Sequence, residues 1–544
     1  MTAELDASRR AEVTAVSNHG RGLAFLHLLL SAPVLLATGS VVLAVTLYRN
    51  RDFQPDDPMI SLRYARNLVQ HGELVWNLGE RVEGYTNFFH LMLTAGLMKL
   101  GAAPFAALGV VNVLATALLL ACCWLGMRHV LVEGRSTLPA GIDAVAAAGL
   151  LVVMASAPLA LWTIGGLEPV LVAALHMAGL VCLLQARADA RRTGLPWLAG
   201  LCFGAAVLTR PDAVLIVGAC LGGWMLIGPG GWPARLSSIW RPVALAGVIV
   251  LTHLAWRYSY YGEWVPNTFF AKIGIPAAVR IPNALGYARE SLLQVPAILL
   301  ALVLFGLAEL ERKSTPLMRL LAGAILLHLA YLFWSGGDHM PGARLYLPAL
   351  GLAGLLIVAA LAGAPEDQRP WRTAFCVVLA LVTNFTTPAQ RTDLATFTGK
   401  LVGEHLSRTE KPGTLVALST AGSIPFHAPQ LRFIDMLGLN DYTIARRNPV
   451  PFVMHWQHLP GHAKGDGAYV LSRKPDLIIL GPSEGTRADA PWFLSDFEIA
   501  RHPEFERCYK PEQARIPYSA ADAGSAPARE NPLPMLMYRR HCGA

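Results

Sequence analysis

Two adjacent carboxylates, Asp56 and Asp57, open the stretch PDDPMISLRYARNL at residues 55–68. A carboxylate in such a place takes a proton from a nucleophile or holds a divalent cation. A like-charged neighbour and partial desolvation both raise its affinity for a proton. Pro58 suits the first turn of a helix starting near Met59, and an aspartate just before it suits the N-cap. The expectation is that Asp57 caps this helix and Asp56 stays free as the base. Arg63 and Arg66, three residues apart, occupy one helix face and can oppose the pair's negative charge, or snorkel to lipid headgroups.

Four other segments carry groups able to do chemistry. GGLEP places Glu168 at the mouth of an apolar run, where an ionisable residue is a functional candidate and also complements a helix N-terminus. LTRPDA sets Arg210 beside Asp212, which reads as a local ion pair. RYSYYGEWVPNTFFAK (257–272) combines Tyr261, Asn267 and Lys272. Aromatic rings there suit a sugar face and a cation suits a phosphate. GGDHMPGARLYLPAL (336–350) gathers Asp338, His339 and Arg344 behind two glycines. An arginine in that loop can clamp a lipid phosphate through its bidentate fork, or simply belong to a charged turn. No Walker loop, GxSxG elbow or HExxH occurs, so nothing points to ATP hydrolysis or to a serine or zinc hydrolase.

The elements that must position these groups follow from composition. The chain is 54% hydrophobic and 15% charged, against about 25% charged in soluble domains. With a mean hydropathy of +0.42 it reads as a polytopic α-helical membrane protein. The net charge of +8 comes from arginines scattered between apolar runs, which report topology rather than nucleic acid. Spanning-length runs recur at 22–47, 103–128, 138–158, 167–186, 195–209, 212–229, 241–258, 292–309, 316–334, 345–363 and 371–388, about eleven spans. NFFHLMLTAGLMKLG (87–101) is shorter and reads as an interfacial or re-entrant helix.

One set of loops then holds Arg128 and Arg135; Arg187, Arg191 and Arg192; Arg235 and Arg241; Arg312, Lys313 and Arg319; and Arg369 and Arg372. By the positive-inside rule these loops face the cytoplasm, together with the N-terminus, residues 1–21. Residues 22–388 form the transmembrane unit, with a large first outer loop at 48–102. Residues 389–544 form an outer soluble α/β domain, with β-type runs at 414–420, 431–437 and 475–481. AADAGSAPARENP in its tail reads as a loop. Six cysteines lie in apolar runs and act as packing residues. Cys508 and Cys542 can pair if the outer domain meets an oxidising compartment.

The ordered set PDDPMISLRYARNL…GELVWNLGERVEGYTNF, GGLEP, TRPDA, YYGEWVPNTFFAK, GGDHMPGARLYLP, IDMLGLND and PGHAKGD resembles GT-C superfamily glycosyltransferases. Within them it is similar to the family that includes the mycobacterial terminal β-(1→2)-arabinofuranosyltransferases. The resemblance implies a multi-pass protein of the bacterial inner membrane with a periplasmic C-terminal domain. It implies transfer of a sugar, arabinofuranose being expected, from a polyprenyl-phosphate donor to a glycan or lipid-linked acceptor, among membrane lipids. Asp56 and Asp57 fall on the acidic motif, as base for an inverting single displacement. No cofactor is required by it; a divalent cation, Mg or Mn, on Asp56 and Asp57 is an open option. Arg63, Lys272, His339 and Arg344 become candidates for the donor phosphate, and Glu168, Tyr261, Asn267 and Asp338 for the sugar or acceptor. The chain has DDPMI where DDAYI is more frequent, which bears on sugar preference. A transporter or flippase of a lipid-linked sugar, a GT-C transferase for mannose, aminoarabinose or a protein acceptor, and a non-catalytic glycan-binding scaffold are the alternatives.

Overall fold

The computed structural model describes residues 29–132, 142–189, 191–227 and 230–542. The N-terminal segment 1–21, the start of the first apolar run and Arg135 lie outside the described residues. A helix rises 1.5 Å per residue, so about 20 residues cross a hydrocarbon core of about 30 Å. Six helices are long and apolar enough: Ala32–Arg49, Pro104–Val132, Pro169–Ala188, Trp232–Tyr261, Pro316–Ser335 and the continuous run Arg344–Gly363. Two further pairs are bent, Asp143–Met154 with Ala157–Ile164 by 53° and Ala277–Leu292 with Pro296–Leu310 by 89°. The second helix of each pair carries a proline in its first turn, Pro158 or Pro296, where the missing N–H costs nothing but a continuous helix would need it. Counting each pair as one span gives up to eight.

The described helices therefore support six to eight spans by length and composition, fewer than the eleven expected. The reason is local. Runs 195–209 and 212–229 form helices of only 15 residues, Leu195–Thr209 and Ala213–Ile227. The last run becomes Arg369–Thr386, whose two arginines and Asn384 dilute its apolar character. The segment 87–101 forms the 12-residue helix Phe88–Lys99, about 18 Å long and too short to cross.

The C-terminal domain holds a five-stranded sheet in the order β2-β1-β3-β5-β4. β1 (Leu415–Leu418) pairs in parallel with β2 (Arg432–Asp435) and β3 (Leu477–Ile478). These are the three expected runs, and their apolar character matches strands covered on both faces. β4 (Tyr509–Ile516) and β5 (Leu533–Arg540) are antiparallel and were not expected, because β4 carries Lys510, Glu512 and Arg515 and β5 holds Pro534 and ends on two arginines. The expected tail loop is the link between them, with one helical turn at Ala520–Ala523. A disulfide joins Cys508 to Cys542 across the open end of this hairpin, with Cα atoms 4.9 Å apart.

The loop 48–102, expected on the outer side, does not stand apart from that domain. Ile60, Tyr64, Trp76 and Leu91 share one hydrophobic core with Phe397, Val416, Phe433 and Met535. Asn77 extends the edge of β2, donating to the Phe433 carbonyl at 2.7 Å and accepting its N–H at 3.2 Å. The loop 48–102 is thus the wedge through which the C-terminal domain sits on the membrane unit.

Candidate active site

Asp56 precedes the helix Asp57–His71, but its side chain makes no cap to that helix. Its Oδ2 accepts the Gly422 N–H at 2.9 Å and its Oδ1 the Ser423 N–H at 2.6 Å. It therefore satisfies the free amides that open the short helix Ser423–His427 of the C-terminal domain. The approach needs glycine at 422, since a Cβ there would meet the Asp56 backbone oxygen at 2.2 Å. Burial pushes the Asp56 carboxyl up to about 7, Ser423 pulling against it and Asp57 and Asp393 adding to it. The expected division of labour is reversed: Asp56 is the engaged carboxylate.

Asp57 is the one left open. Its side chain is 36% exposed, and its Oδ2 lies 3.8 Å from Nη1 of Arg344. Arg344 forks onto Asp338, Nε to Oδ2 at 2.5 Å and Nη2 to Oδ1 at 3.1 Å, and lies over the Trp162 ring. Burial alone would push Asp338 up, but Arg344, with His339 and Lys272, holds its carboxyl well below the carboxylate range. Asp338 thus stays ionised and aims the guanidinium so that Nη1 faces Asp57.

Three more groups ring this pair. The His339 backbone N–H donates to Asp338 at 3.0 Å, and its ring stands edge-on to His462 at 4.8 Å. His462, from the C-terminal domain, is pushed down to about 4 by burial and by His339 beside it, while Asp57 opposes this. Its ring is therefore neutral at pH 7, and its buried Nδ1 has no hydrogen-bond partner among the described residues. Lys272 ends the short helix Asn267–Lys272, stays accessible to solvent, and makes no ion pair or hydrogen bond among the described residues. The protein around it and Arg344 lower its ammonium, and Asp338 and Asp57 oppose them. Asp393, capping Leu394–Thr409 through the Ala395 N–H, is raised by burial and then by Asp57 among its neighbours. The result is a mixed-charge cluster drawn from the loop 48–102, the loop 336–344, Lys272 and the C-terminal domain.

The other sequence candidates are placed elsewhere. Arg63 is 3% exposed and spends its guanidinium on three carbonyls: Trp76 at 2.7 Å, Leu431 at 3.0 Å and Pro425. It rivets the helix Asp57–His71 to the C-terminal domain, with three of its five N–H donors spent on backbone carbonyls. Glu168 is buried against Arg210 at 2.9 Å, and Arg210 also forks onto Asp212, so the local pair read from TRPDA is a triad. The Tyr261 hydroxyl donates to the Leu74 carbonyl at 2.6 Å. Asn267 donates to the carbonyls of Gly438, Leu439 and Asp441 and accepts from Arg446 at 2.6 Å. Glu168, Tyr261 and Asn267 therefore hold the frame through these bonds, and Glu168 also adds to the negative charge that favours the Arg344 guanidinium.

A divalent cation on Asp56 and Asp57 does not fit this arrangement. Both Asp56 oxygens face amide donors, and among the described residues no three His, Cys, Asp or Glu side chains converge to hold a metal. His462 and Asp393 are the groups that sequence reasoning passed over. PGHAKGD entered only as one piece of the ordered set, and only folding brings its His462 beside His339 of GGDHMPGAR.

A family profile described as "Domain of unknown function (DUF8728)" matches residues 388–526. The chain is 30% identical over 333 residues to the terminal beta-(1->2)-arabinofuranosyltransferase of Mycobacterium tuberculosis (strain ATCC 25618 / H37Rv), a match covering 54% of this chain and 50% of the relative. It spans about half the length of that curated relative. Among solved structures it is similar to apo ArnT from Cupriavidus metallidurans, with a TM-score of 0.50 and 15% identity, covering 74% of this chain and 84% of that one. A second structure of that protein, bound to undecaprenyl phosphate, matches with a TM-score of 0.46 and 14% identity over 74% of this chain and 85% of that one. The likeness to ArnT shows the fold: a multi-pass helical membrane protein carrying an extramembrane domain with a β-sheet.

Proposed function

We propose that this chain is a GT-C-type glycosyltransferase that moves a sugar from a polyprenyl-phosphate donor to a glycan or lipid-linked acceptor. The observation that carries the reading is one half-exposed carboxylate, Asp57, that makes no hydrogen bond among the described residues and faces the guanidinium of Arg344 at 3.8 Å, with the exposed Lys272 in the same group of charges. Asp57 takes the proton of the acceptor hydroxyl as its oxygen bonds to the anomeric carbon. The bond from that carbon to the phosphate oxygen breaks, and polyprenyl phosphate leaves with the electron pair. A single displacement of this kind inverts the anomeric centre. Arg344 and Lys272 meet the charge that grows on the phosphate, and His339 and the neutral His462 border the same space. ArnT, whose fold this chain shares, has a structure with undecaprenyl phosphate, which supports the donor class. The arabinofuranosyltransferase relative supports arabinofuranose as the sugar.

In this reading the 15-residue helices Leu195–Thr209 and Ala213–Ile227 and the helix Arg369–Thr386 also cross, giving eleven spans in the bacterial inner membrane. The charged cluster and the C-terminal domain then face the periplasm, in keeping with the arginine-rich loops on the opposite side and with the Cys508–Cys542 disulfide. The test is transfer from decaprenylphosphoryl-arabinofuranose in membranes bearing Asp57→Asn. Transfer at the unmodified rate would sink the mechanism.

The two bent helix pairs favour a second reading, a carrier of lipid-linked sugars, since broken helices form transporter sites. The ionisable groups argue against it, because Asp57, Glu168, Arg210 and Arg344 all lie at helix ends. Sugar-lipid movement across vesicles that survives Asp57→Asn without any transfer would favour the carrier.

A further inference from the structure

Arg344 opens a short 3-10 helix, Arg344–Ala349, with Pro348 inside it. In a 3-10 turn each carbonyl accepts from the amide three residues on. For Leu345 that residue is Pro348, which has no N–H. A buried carbonyl without a donor is destabilising, so another group has to supply one. His328 does so, its Nε2 standing 2.8 Å from the Leu345 oxygen. That bond fixes the tautomer, with the proton on Nε2. The other ring nitrogen, Nδ1, is buried and has no hydrogen-bond partner among the described residues, where His328 serves this one carbonyl.

The rest of the segment is gripped in the same manner. The Leu345 N–H donates to the Tyr287 hydroxyl at 3.3 Å, and His176 Nδ1 lies 3.3 Å from the Pro348 carbonyl. Trp162 Nε1 donates to the Gly342 carbonyl at 3.1 Å. These four side chains belong to four helices: 157–164, 169–188, 277–292 and 316–335. The segment needs such support, because Ala343 sits in the left-handed region at φ 48, where a Cβ is unfavourable. His328 is 2% exposed, and its hydrogen bond goes to backbone rather than to Asp57, Asp338 or the Arg344 side chain.

We propose that His328 is a positioning residue for Arg344. Its hydrogen bond to the Leu345 carbonyl holds the proline-interrupted turn in the register that aims the guanidinium at Asp57 and the donor phosphate. His176 braces the far end of the same turn. The proposal rests on the reading of Arg344 as the phosphate clamp.

The test uses the purified full-length protein and undecaprenyl phosphate as the probe. Binding is compared for His328→Leu, His328→Gln and His328→Asn, each alone and together with Arg344→Ala. Glutamine carries a donor nitrogen to about the place of Nε2, whereas asparagine is too short. His328→Leu and His328→Asn are expected to weaken binding about tenfold, the factor that ~1.4 kcal/mol gives. His328→Gln is expected to bind as the parent does. In the Arg344→Ala background none of the three should change binding further, because a residue acting through Arg344 is not additive with it. Equal losses for Gln and Leu, or a loss that persists unchanged beside Arg344→Ala, overturn the positioning role. If His328→Leu does not fold, the contrast between Gln and Asn decides alone. A parent protein that fails to bind undecaprenyl phosphate overturns the donor reading, and the phosphate role of His328 with it. A parent that binds, with variants that match it, overturns only the role given to His328.

Discussion

Arg344 divides its guanidinium between two aspartates: Nε and Nη2 fork onto Asp338, and Nη1 faces Asp57 at 3.8 Å. One carboxylate aims the arginine and the other stays available for chemistry. Asp57→Asn is therefore expected to lower transfer on the order of 10²–10⁴-fold, the usual range for a lost general base. Its thermal midpoint should stay near that of the parent. Asp338→Asn should instead act through the donor, raising its KM more than it lowers kcat, since Arg344 loses its fork. Steady-state kinetics with separately varied donor and acceptor measure the contrast.

Asp56 gives a pH dependence of folding with a definite sign. Its carboxyl rises from the usual 3.8 to about 7 on folding, so the folded chain binds the extra proton. Stability from this group is full below the unfolded value and is lost as pH rises through about 7. Asp56→Asn removes the titration. The difference in thermal midpoint between the parent and this variant should change across that window in the parent's disfavour as pH rises. A difference that is flat with pH contradicts the assignment.

Gly422→Ala tests the same contact by volume alone. The new Cβ would meet the Asp56 backbone oxygen at 2.2 Å, and backbone on both sides leaves little room to yield. Overpacking of this kind costs about 1–3 kcal/mol. Faster limited proteolysis between the membrane unit and the C-terminal domain is the expected readout.

Arg63→Leu separates a frame role from a phosphate role. It strips donors from three buried carbonyls and empties the space between Trp76 and Phe433. Each lost charge-assisted bond is worth roughly 1.5–3 kcal/mol, so the C-terminal domain should loosen or fail to fold. The folded fraction should bind undecaprenyl phosphate as tightly as the parent. A selective loss of phosphate binding in a well-folded variant would return Arg63 to the donor site.

Lys272→Ala completes the set. Because Lys272 makes no ion pair or hydrogen bond among the described residues, its removal should leave the thermal midpoint unchanged. Donor binding should weaken, and the loss should shrink as salt is raised, since an accessible charge is screened. Binding titrations at two ionic strengths check this.

Much of the frame is legible in the sequence because hydrophobicity and length are local properties. Apolar runs mark the helices, and the shift in composition near residue 388 marks the C-terminal domain. Three parallel strands show as short apolar runs, while β4 is broken by Lys510, Glu512 and Arg515 and β5 by Pro534 and its closing arginines. The span count is less legible. Whether a 15-residue apolar helix crosses depends on its neighbours rather than on its own composition.

The site divides in the same way. Residue types and their spacing mark which short segments hold ionisable groups, and Asp57, Lys272, Asp338, His339 and Arg344 do gather in one charged cluster. Only the tertiary structure decided which of them are free. Asp56 and Asp57 are indistinguishable as neighbours in a chain, yet Asp56 meets two amides more than 360 residues away and Asp57 does not. Arg63, Glu168 and Asn267 look equally available until distant carbonyls and charges claim them. A residue's type fixes which bonds it can make, but its engagement depends on what the fold brings within about 3 Å of it.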